Sequence, residues 1–167
     1  MKKIRIIMIM AAIAFTLSIG TKAMAAGPST APFLVNANIP ALCTMQSADP
    51  IAFGAYDFTA DSHASGDITF VCTPGTTWEL YITTDHADTV TREMLGPQPA
   101  TTDVLSYELY SEGTWTTVFP STQGTALTAV AAAGPITVTV FGEIPLGQLG
   151  LLIGDYEQTA TANVEYF

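Results

Sequence analysis

Residues 67–84, which read DITFVCTPGTTWELYITT, contain two runs in which apolar and polar side chains alternate. Apolar side chains stand at every second position from 68 to 72 and again from 78 to 82. A β-strand sends successive side chains to opposite faces, so this spacing predicts two strands that each bury one face. The Thr-Pro-Gly sequence at 73–75 separates the runs and is typical of a tight turn. This stretch therefore predicts a β-hairpin that contributes to an apolar core.

The same alternation recurs along the rest of the chain. Further apolar faces are formed by Leu105, Tyr107 and Leu109, by Ile136, Val138 and Val140, and by Ala160, Ala162, Val164 and Tyr166. Glycine and proline separate these runs, and many short strands divided by turns favour a β-sandwich. The alanine-rich stretch 126–133 has no helix cap, so we expect a loop or an irregular edge there.

The first 25 residues have the features of a secretory signal peptide. Lys2, Lys3 and Arg5 precede an apolar run over 6–20, and Ala-Met-Ala at 23–25 fits the cleavage site. Because the run is short for a membrane span, a cleaved signal is favoured over an uncleaved anchor. No later segment has an apolar run of that length, so we expect no membrane span after cleavage and an exported protein.

Cleavage would leave Arg92 as the single basic residue against fifteen acidic residues, a formal charge of −14. A nucleic-acid partner is therefore not expected, because phosphate neutralisation needs clustered lysine and arginine. The whole chain is 49% apolar and 12% charged, which also excludes a disordered polyelectrolyte. At most one acidic residue can pair with a lysine or arginine of the same chain, and we expect the others to keep the protein soluble.

Cys43 and Cys72 are the only cysteines, and both follow the predicted signal. Export to an oxidising compartment favours a disulfide between them. The chain-entropy model values such a closure at roughly 3–4 kcal/mol. A redox or metal role is the alternative, but the chain has no C-x-x-C motif, and two cysteines alone make a poor metal site.

Two short clusters contain residue types used in catalysis or metal binding. Residues 61–63 read Asp-Ser-His, but sequence neighbours rarely form a triad, and the chain has no G-x-S-x-G elbow. Residues 85–88 include Asp85, His86 and Asp88, without the dense oxygen ligands of a calcium loop. We expect both clusters to be exposed turns. The sequence predicts no catalytic residue, no metal site and no cofactor, and hence no enzyme.

The two tryptophans suggest a sugar-binding surface as a further hypothesis. Trp78 stands on the apolar face of an alternating run, which predicts core packing. Trp115 follows Glu-Gly at 112–113 and is the better candidate for a surface contact.

An alternating segment also precedes the first cysteine. Its apolar side chains are Phe33, Val35, Ala37 and Ile39. Pro32 and Pro40 flank the segment, and proline joins a central strand poorly because it has no N–H. The segment is either the first strand of its own sandwich or a strand partly decoupled from the body.

Seven short segments follow one another along the chain: the alternating stretch before Cys43, FGAYD at 53–57, ASGDI at 64–68, VCTPGT at 71–76, LSYELY at 105–110, FGEIP at 141–145 with Gln148, and GDY at 154–156 followed by a strand. In this order they resemble segments of the spore coat protein U domain family, the subunit family of archaic, Csu-type chaperone–usher pili. Each is short, but their order, the signal peptide and the two cysteines together make the resemblance specific.

The resemblance implies an all-β fold: an incomplete immunoglobulin-like β-sandwich that is completed by donor-strand complementation. It also implies three regions: a signal peptide at 1–25, an extension with a donor strand at 26–42, and the sandwich domain at 43–167. Carried over by position, Phe33, Val35, Ala37 and Ile39 match the donor strand. Two features depart from the family pattern: Ala37 is smaller than the expected plug, and Pro40 removes a hydrogen-bond donor just after the strand.

The function implied by the resemblance is that of a structural pilus subunit without catalytic activity. Its expected partners are a periplasmic chaperone, an outer-membrane usher and neighbouring copies of itself or of related subunits. Such a subunit passes through the periplasm to the cell surface, where the fibres support adhesion and biofilm formation. Two alternatives remain: a spore-coat or other secreted structural β-sandwich that forms no fibre, and a secreted carbohydrate-binding module.

Overall fold

The computed structural model describes residues 27–85, 92–97 and 103–167, so the predicted signal peptide, His86 and Asp88 lie outside the described residues. The chain divides into two units after Asn36. The described part of the first unit, residues 27–36, has no regular secondary structure. The second unit contains every strand of the described residues.

The second unit is an antiparallel β-sandwich with a five-stranded sheet, in the order β1-β2-β7-β5-β4, and a three-stranded sheet, in the order β6-β3-β8. The strands are β1 (Cys43–Ala48), β2 (Ser62–Cys72), β3 (Thr77–Thr84), β4 (Arg92–Leu95), β5 (Val104–Tyr110), β6 (Leu127–Val130), β7 (Pro135–Ile144) and β8 (Ala160–Tyr166). A single 3₁₀ turn at Gln123–Thr125 precedes β6. The alanine-rich stretch thus contains a regular four-residue edge strand, β6, and not the loop or irregular edge expected there, because its backbone pairs in register with β3.

The core lies between the two sheets and is formed by the alternating faces that the sequence predicts. The inward-facing residues of three strands are at most 7% exposed. They lie at 68–72 in β2, at 78–82 in β3 and at 105–109 in β5. Phe70 of β2 and Trp78 of β3 meet edge to face across the core, with their ring centres 5.0 Å apart. Such aromatic pairs stabilise a core beyond their buried area.

The predicted hairpin of β2 and β3 is wrong. β2 pairs with β1 on one side and with β7 on the other, so it has no free edge for β3. The chain instead crosses to the other sheet through a turn in which Thr76 N donates to the Thr73 carbonyl over 3.0 Å. Pro74 fixes the first central position, and Gly75 takes a φ of +90° at the second, as a type II turn requires.

Strand β4 is held by Arg92, the one lysine or arginine of the described residues. The Arg92 side chain is buried and pairs with the Glu108 carboxylate of β5. Arg92 also donates to the Phe119 carbonyl over 3.2 Å, and Glu108 accepts the Leu109 N–H over 2.9 Å. These bonds satisfy the buried charge of Arg92 and the partly buried charge of Glu108, which is the condition for such an ion pair to be tolerated.

Candidate functional site

Strands β1 and β8 form the edges of the two sheets on the same side of the sandwich. Within the described residues, β1 has β2 as its single strand neighbour and β8 has β3. The two edge strands lie close to each other across the gap between the sheets. Each edge therefore has a row of backbone N–H and C=O groups without a strand partner in the described part of the chain.

The inward face of β8 is uncovered. Val164 lies opposite Leu80 and Tyr166 lies opposite Trp78, and directly paired residues share a face. Leu80 and Trp78 are buried, whereas Tyr166 is 39% exposed and Val164 is half-buried. The side chains of β8 therefore point toward the core but are not enclosed by it.

The inward face of β1 has the same character. Met45 lies opposite Phe70, which is fully buried, yet Met45 itself is 37% exposed. Ala48 lies opposite the buried Ile68 and is exposed. A sandwich whose edges were covered would enclose these positions, as it encloses their partners on β2 and β3.

A cleft of about 400 Å³ opens between these edges and reaches the core. Its lining is mostly apolar and includes Ala48, Gly66, Ile68, Ile82, Leu109, Val140, Ala160 and Ala162. Four of these residues are alanine or glycine, so their small side chains leave room between the sheets. The cleft and the two free edges together can accept an extended segment, through backbone pairing and through pockets for every second side chain. We call this site the edge groove.

The predicted donor segment is not a strand in this structure. Residues 27–42 have no regular secondary structure. Phe33, Val35 and Ile39 are 85%, 79% and 80% exposed, and Ala37 is exposed as well. An extended segment becomes a strand only when a ladder partner satisfies its backbone groups. The donor-strand role of these four residues stays a prediction.

The structure contains the predicted disulfide. Cys43, the first residue of β1, is bonded to Cys72, the last residue of β2, and the two residues are direct partners in the β1–β2 register. The bond therefore ties the start of an edge strand to the end of a central strand, directly after the predicted donor segment.

The Asp-Ser-His cluster is not the exposed turn that the sequence suggested. Ser62 and His63 begin β2, so their side chains point to opposite faces of the sheet and do not form a triad. Asp61 instead accepts the Leu146 N–H over 2.8 Å and anchors the loop after β7. The strand extends this far because β7 is long enough to pair with it from Ile144 onward.

Trp115 is half-buried and packs against His63, with ring centres 4.1 Å apart and ring planes tilted by 41°. Its φ of +50° is unusual for a residue that is not glycine. Its Nε1 is buried without a hydrogen-bond partner in the described structure. The predicted surface contact at Trp115 stays a prediction.

Two motifs quoted for the resemblance have structural roles that the sequence did not suggest. Gln148 pairs with Ser106 through both side-chain atoms, each at 2.8 Å, and its backbone N–H donates to the Tyr56 hydroxyl over 3.0 Å. Tyr156 donates to the Asp103 carboxylate, and partial burial together with this bond raises the pKa of the tyrosine. These residues fix the long loop between β7 and β8, and thereby the start of the edge strand β8.

Within the described residues, no group of three or more histidine, cysteine or acidic side chains is arranged to hold a metal ion. Residues 27–85, 92–97 and 103–167 also include no helix of the length and hydropathy that a membrane crossing needs.

A family model described as Spore Coat Protein U domain matches residues 29–163. Protein U of Myxococcus xanthus is 28% identical over 157 residues, which cover 84% of this chain and 87% of that protein. The family resemblance drawn from the seven segments is therefore confirmed.

Solved structures with a similar fold come from chaperone–usher pili. A chain of the CsuC–CsuE chaperone–tip adhesion subunit pre-assembly complex of Acinetobacter baumannii aligns with a TM-score of 0.54 at 13% identity, over 76% of this chain but 40% of that chain. The P pilus rod subunit PapA aligns with a TM-score of 0.54 at 16% identity, over 75% of this chain and 99% of its own. A subunit of a chaperone–usher pilus studied for rod uncoiling aligns at 0.52 and 15% identity, over 85% and 97%. The predicted all-β, immunoglobulin-like fold is confirmed.

Proposed function

Because the chain belongs to the Spore Coat Protein U domain family, we propose that it is a secreted structural subunit of a surface pilus, assembled by the chaperone–usher pathway through donor-strand exchange. The observation that carries the proposal is the edge groove, where inward-facing side chains of β1 and β8 remain exposed beside fully buried partners. The donor would be the segment that contains Phe33, Val35, Ala37 and Ile39, supplied by a second copy or a related subunit.

The energetics favour such an insertion. Phe33, Val35 and Ile39 are at least 79% exposed, so nearly all of their side-chain surface is available for burial in a groove. Full burial of side chains of this kind contributes about 1.5–3 kcal/mol each. Backbone pairing with the free edges of β1 and β8 adds to this, and a head-to-tail contact of this type continues into a fibre.

The proposal includes the rest of the pathway. A periplasmic chaperone would cover the edge groove before assembly, because an uncovered apolar edge promotes aggregation. An outer-membrane usher would exchange the chaperone for the donor segment of the next subunit. The product would be a fibre at the cell surface that supports adhesion and biofilm formation, without enzymatic activity.

Deletion of residues 26–40 tests the donor role. The mature wild-type chain is expected to form multimers that resist SDS and dissociate on heating, whereas the deletion variant is expected to form none. The matched control replaces the three outward residues of the same segment, Leu34, Asn36 and Asn38, with serine, and it should still form multimers. Persistence of heat-sensitive, SDS-resistant multimers after the deletion would show that donor-strand exchange is wrong.

A non-fibrous structural role is the second candidate, and the family's spore-coat description favours it. Co-expression with a chaperone encoded beside this chain distinguishes the two. A pilus subunit should purify as a one-to-one pair and be insoluble alone, whereas a self-sufficient coat protein should be soluble and monomeric without the chaperone.

The carbohydrate-binding alternative rests on the half-buried Trp115 and its tilted contact with the His63 ring. A glycan array with wild type and Trp115→Ala tests it. Binding that the alanine variant loses would support this alternative, and binding no higher than background would remove it.

A further inference from the structure

Strand β1 begins, and strand β8 ends, at the same end of the sandwich. Cys43 at the start of β1 lies opposite Cys72, and the turn at 73–76 leads directly from there into β3. Trp78 near the start of β3 lies opposite Tyr166 at the end of β8. The two strands that border the edge groove therefore run in opposite directions, and the segment before Cys43 leaves the body at the Tyr166 end.

The segment just before β1 is fixed in direction at this end. The Leu42 carbonyl accepts the Thr73 N–H over 2.8 Å, which continues the β1–β2 register one pair past Cys43 and Cys72. The Thr73 hydroxyl donates to the Pro40 carbonyl over 3.1 Å. Residues 40–42 are thus held as an extension of β1 that runs outward past its first residue, and we call this arrangement the Thr73 clamp.

A chain could fill its own edge groove in two orientations. In the first, the donor segment runs parallel to β8, so the chain must reverse its direction within residues 40–42. That reversal breaks both hydrogen bonds of the Thr73 clamp, because the clamp holds these residues in line with β1.

In the second orientation the donor segment runs antiparallel to β8, as every strand pair of this structure does. Ile39 would then lie near Ala160, at the end of the groove far from Cys43. The six steps of β8 span about 20 Å, whereas the four steps from Ile39 to Cys43 reach at most about 14 Å. The connection is too short for this orientation.

We propose that the Thr73 clamp and the short length of residues 40–42 together keep the edge groove closed to the chain's own donor segment, so that the donor must come from a second copy. This inference rests on the proposed function. Thr73 acts as a positioning residue: its hydroxyl blocks the reversed orientation, and the three-residue connection blocks the other.

Two perturbations of the mature full-length chain test the two parts. Insertion of fifteen Gly/Ser residues between Pro40 and Ala41 lengthens the connection between the donor segment and β1. It also lets the donor segment reverse its direction relative to β1. Thr73→Val removes the hydroxyl and keeps the shape of the side chain and the backbone bond to Leu42. The matched controls are the same insertion between Ser29 and Thr30, and Thr69→Val, which removes the contact between Thr69 Oγ1 of β2 and Thr137 Oγ1 of β7.

Each chain is refolded from denaturant at low concentration and separated by size exclusion and by SDS gels with and without heating. The insertion after Pro40 is expected to lower the multimer fraction at least tenfold and to yield closed monomers. Adding Val35→Asp to this variant should abolish the closed monomers, because they depend on the donor segment. Thr73→Val is expected to reduce multimers about fivefold, the effect of one lost hydrogen bond. Both controls should behave as wild type.

The outcomes separate this inference from the proposed function. Wild-type monomers that fill their own edge groove would overturn this inference. An insertion variant that forms multimers as wild type does would also overturn it. If Thr73→Val behaves as wild type while the insertion variant closes, the role of Thr73 is wrong and the length constraint stands. If wild type forms no multimers but the insertion variant closes, the clamp stands and the fibre proposal fails. If neither chain forms multimers or closes, both are wrong.

Discussion

The alternation in the donor segment predicts that two chemically similar truncations will have very different effects. Ile39 and Leu34 are 80% and 85% exposed, and replacement by alanine removes three carbon atoms from either side chain. They lie on opposite faces of an extended segment: Ile39 shares its face with Phe33 and Val35, whereas Leu34 lies on the other face. Only the face of Ile39 would enter the edge groove.

The expected size of the difference follows from the exposed surface. Each buried CH₂ or CH₃ group contributes about 0.8 kcal/mol, and burial of 80% of three such groups gives about 2 kcal/mol. Ile39→Ala should therefore weaken donor binding by about thirtyfold. Leu34→Ala should change it by less than about threefold, since the Leu34 side chain faces solvent both before and after insertion.

The assay uses a chain whose own donor segment is disabled by aspartate at 33, 35 and 39. This chain is refolded with a synthetic peptide of residues 29–41 that is wild type or carries Ile39→Ala or Leu34→Ala. Urea unfolding of each complex is followed by tryptophan fluorescence, because Trp78 is buried in the folded state. The free energy of unfolding then gives the contribution of each side chain to the complex.

Equal effects of the two substitutions would refute the reasoning, since they would mean that the segment does not bind with one face inward. A larger effect of Leu34→Ala would indicate that the segment binds in a register shifted by one residue. The face of Phe33, Val35, Ala37 and Ile39 would then point away from the groove.

Four further outcomes follow from the body of the protein. Replacing Cys43 and Cys72 by alanine should lower the free energy of unfolding by about 3.5 kcal/mol, the chain-entropy value for a separation of 29 residues, measured by urea unfolding. Arg92→Met should lower it by at most about 3–5 kcal/mol, and adding Glu108→Leu should restore part of the loss, because the single change leaves the partly buried Glu108 carboxylate without its counter-charge. The raised pKa of Tyr156 predicts that the urea midpoint falls as the pH rises past about 10, the unfolded value, and that Tyr156→Phe makes this fall shallower. Because mature copies repel each other with like charge, raising the ionic strength from about 0.01 to 0.15 M should speed assembly; a slower rate at higher salt would indicate ion pairs between copies.

The core strands could be predicted from the sequence because one physical rule fixes them. Trp78, Leu80 and Ile82 alternate with polar neighbours, and such alternation is stable only as a strand with one buried face. The turn after β2 could not be read correctly, because Thr-Pro-Gly specifies a tight turn but not whether the chain returns to the same sheet. That choice depends on β1 and on β7, which together occupy both edges of β2; β7 is more than sixty residues away in sequence.

The candidate site divides in the same way. The disulfide and the alternation of the predicted donor segment can be read from the sequence, since they depend on cysteine count and on local spacing; the donor role itself stays a prediction. The edge groove was implied only by the family resemblance, because the pattern of β8 is identical whether its inward face is covered or open. Ala162 and Val164 alternate like core residues, and only the three-dimensional arrangement leaves them half-buried.

The charges limit how copies of this chain can hold together. Arg92 is the one lysine or arginine of the described residues, and it uses its charge inside its own fold. We therefore expect no ion pairing between copies through lysine or arginine once the predicted signal is removed, while fifteen acidic residues on each copy oppose approach. Apolar burial and backbone pairing are then the expected sources of stable association, and in the sandwich unit the edge groove offers both in one place. A donor segment without acidic residues, from Phe33 to Ile39, is the kind of partner that such a surface can accept.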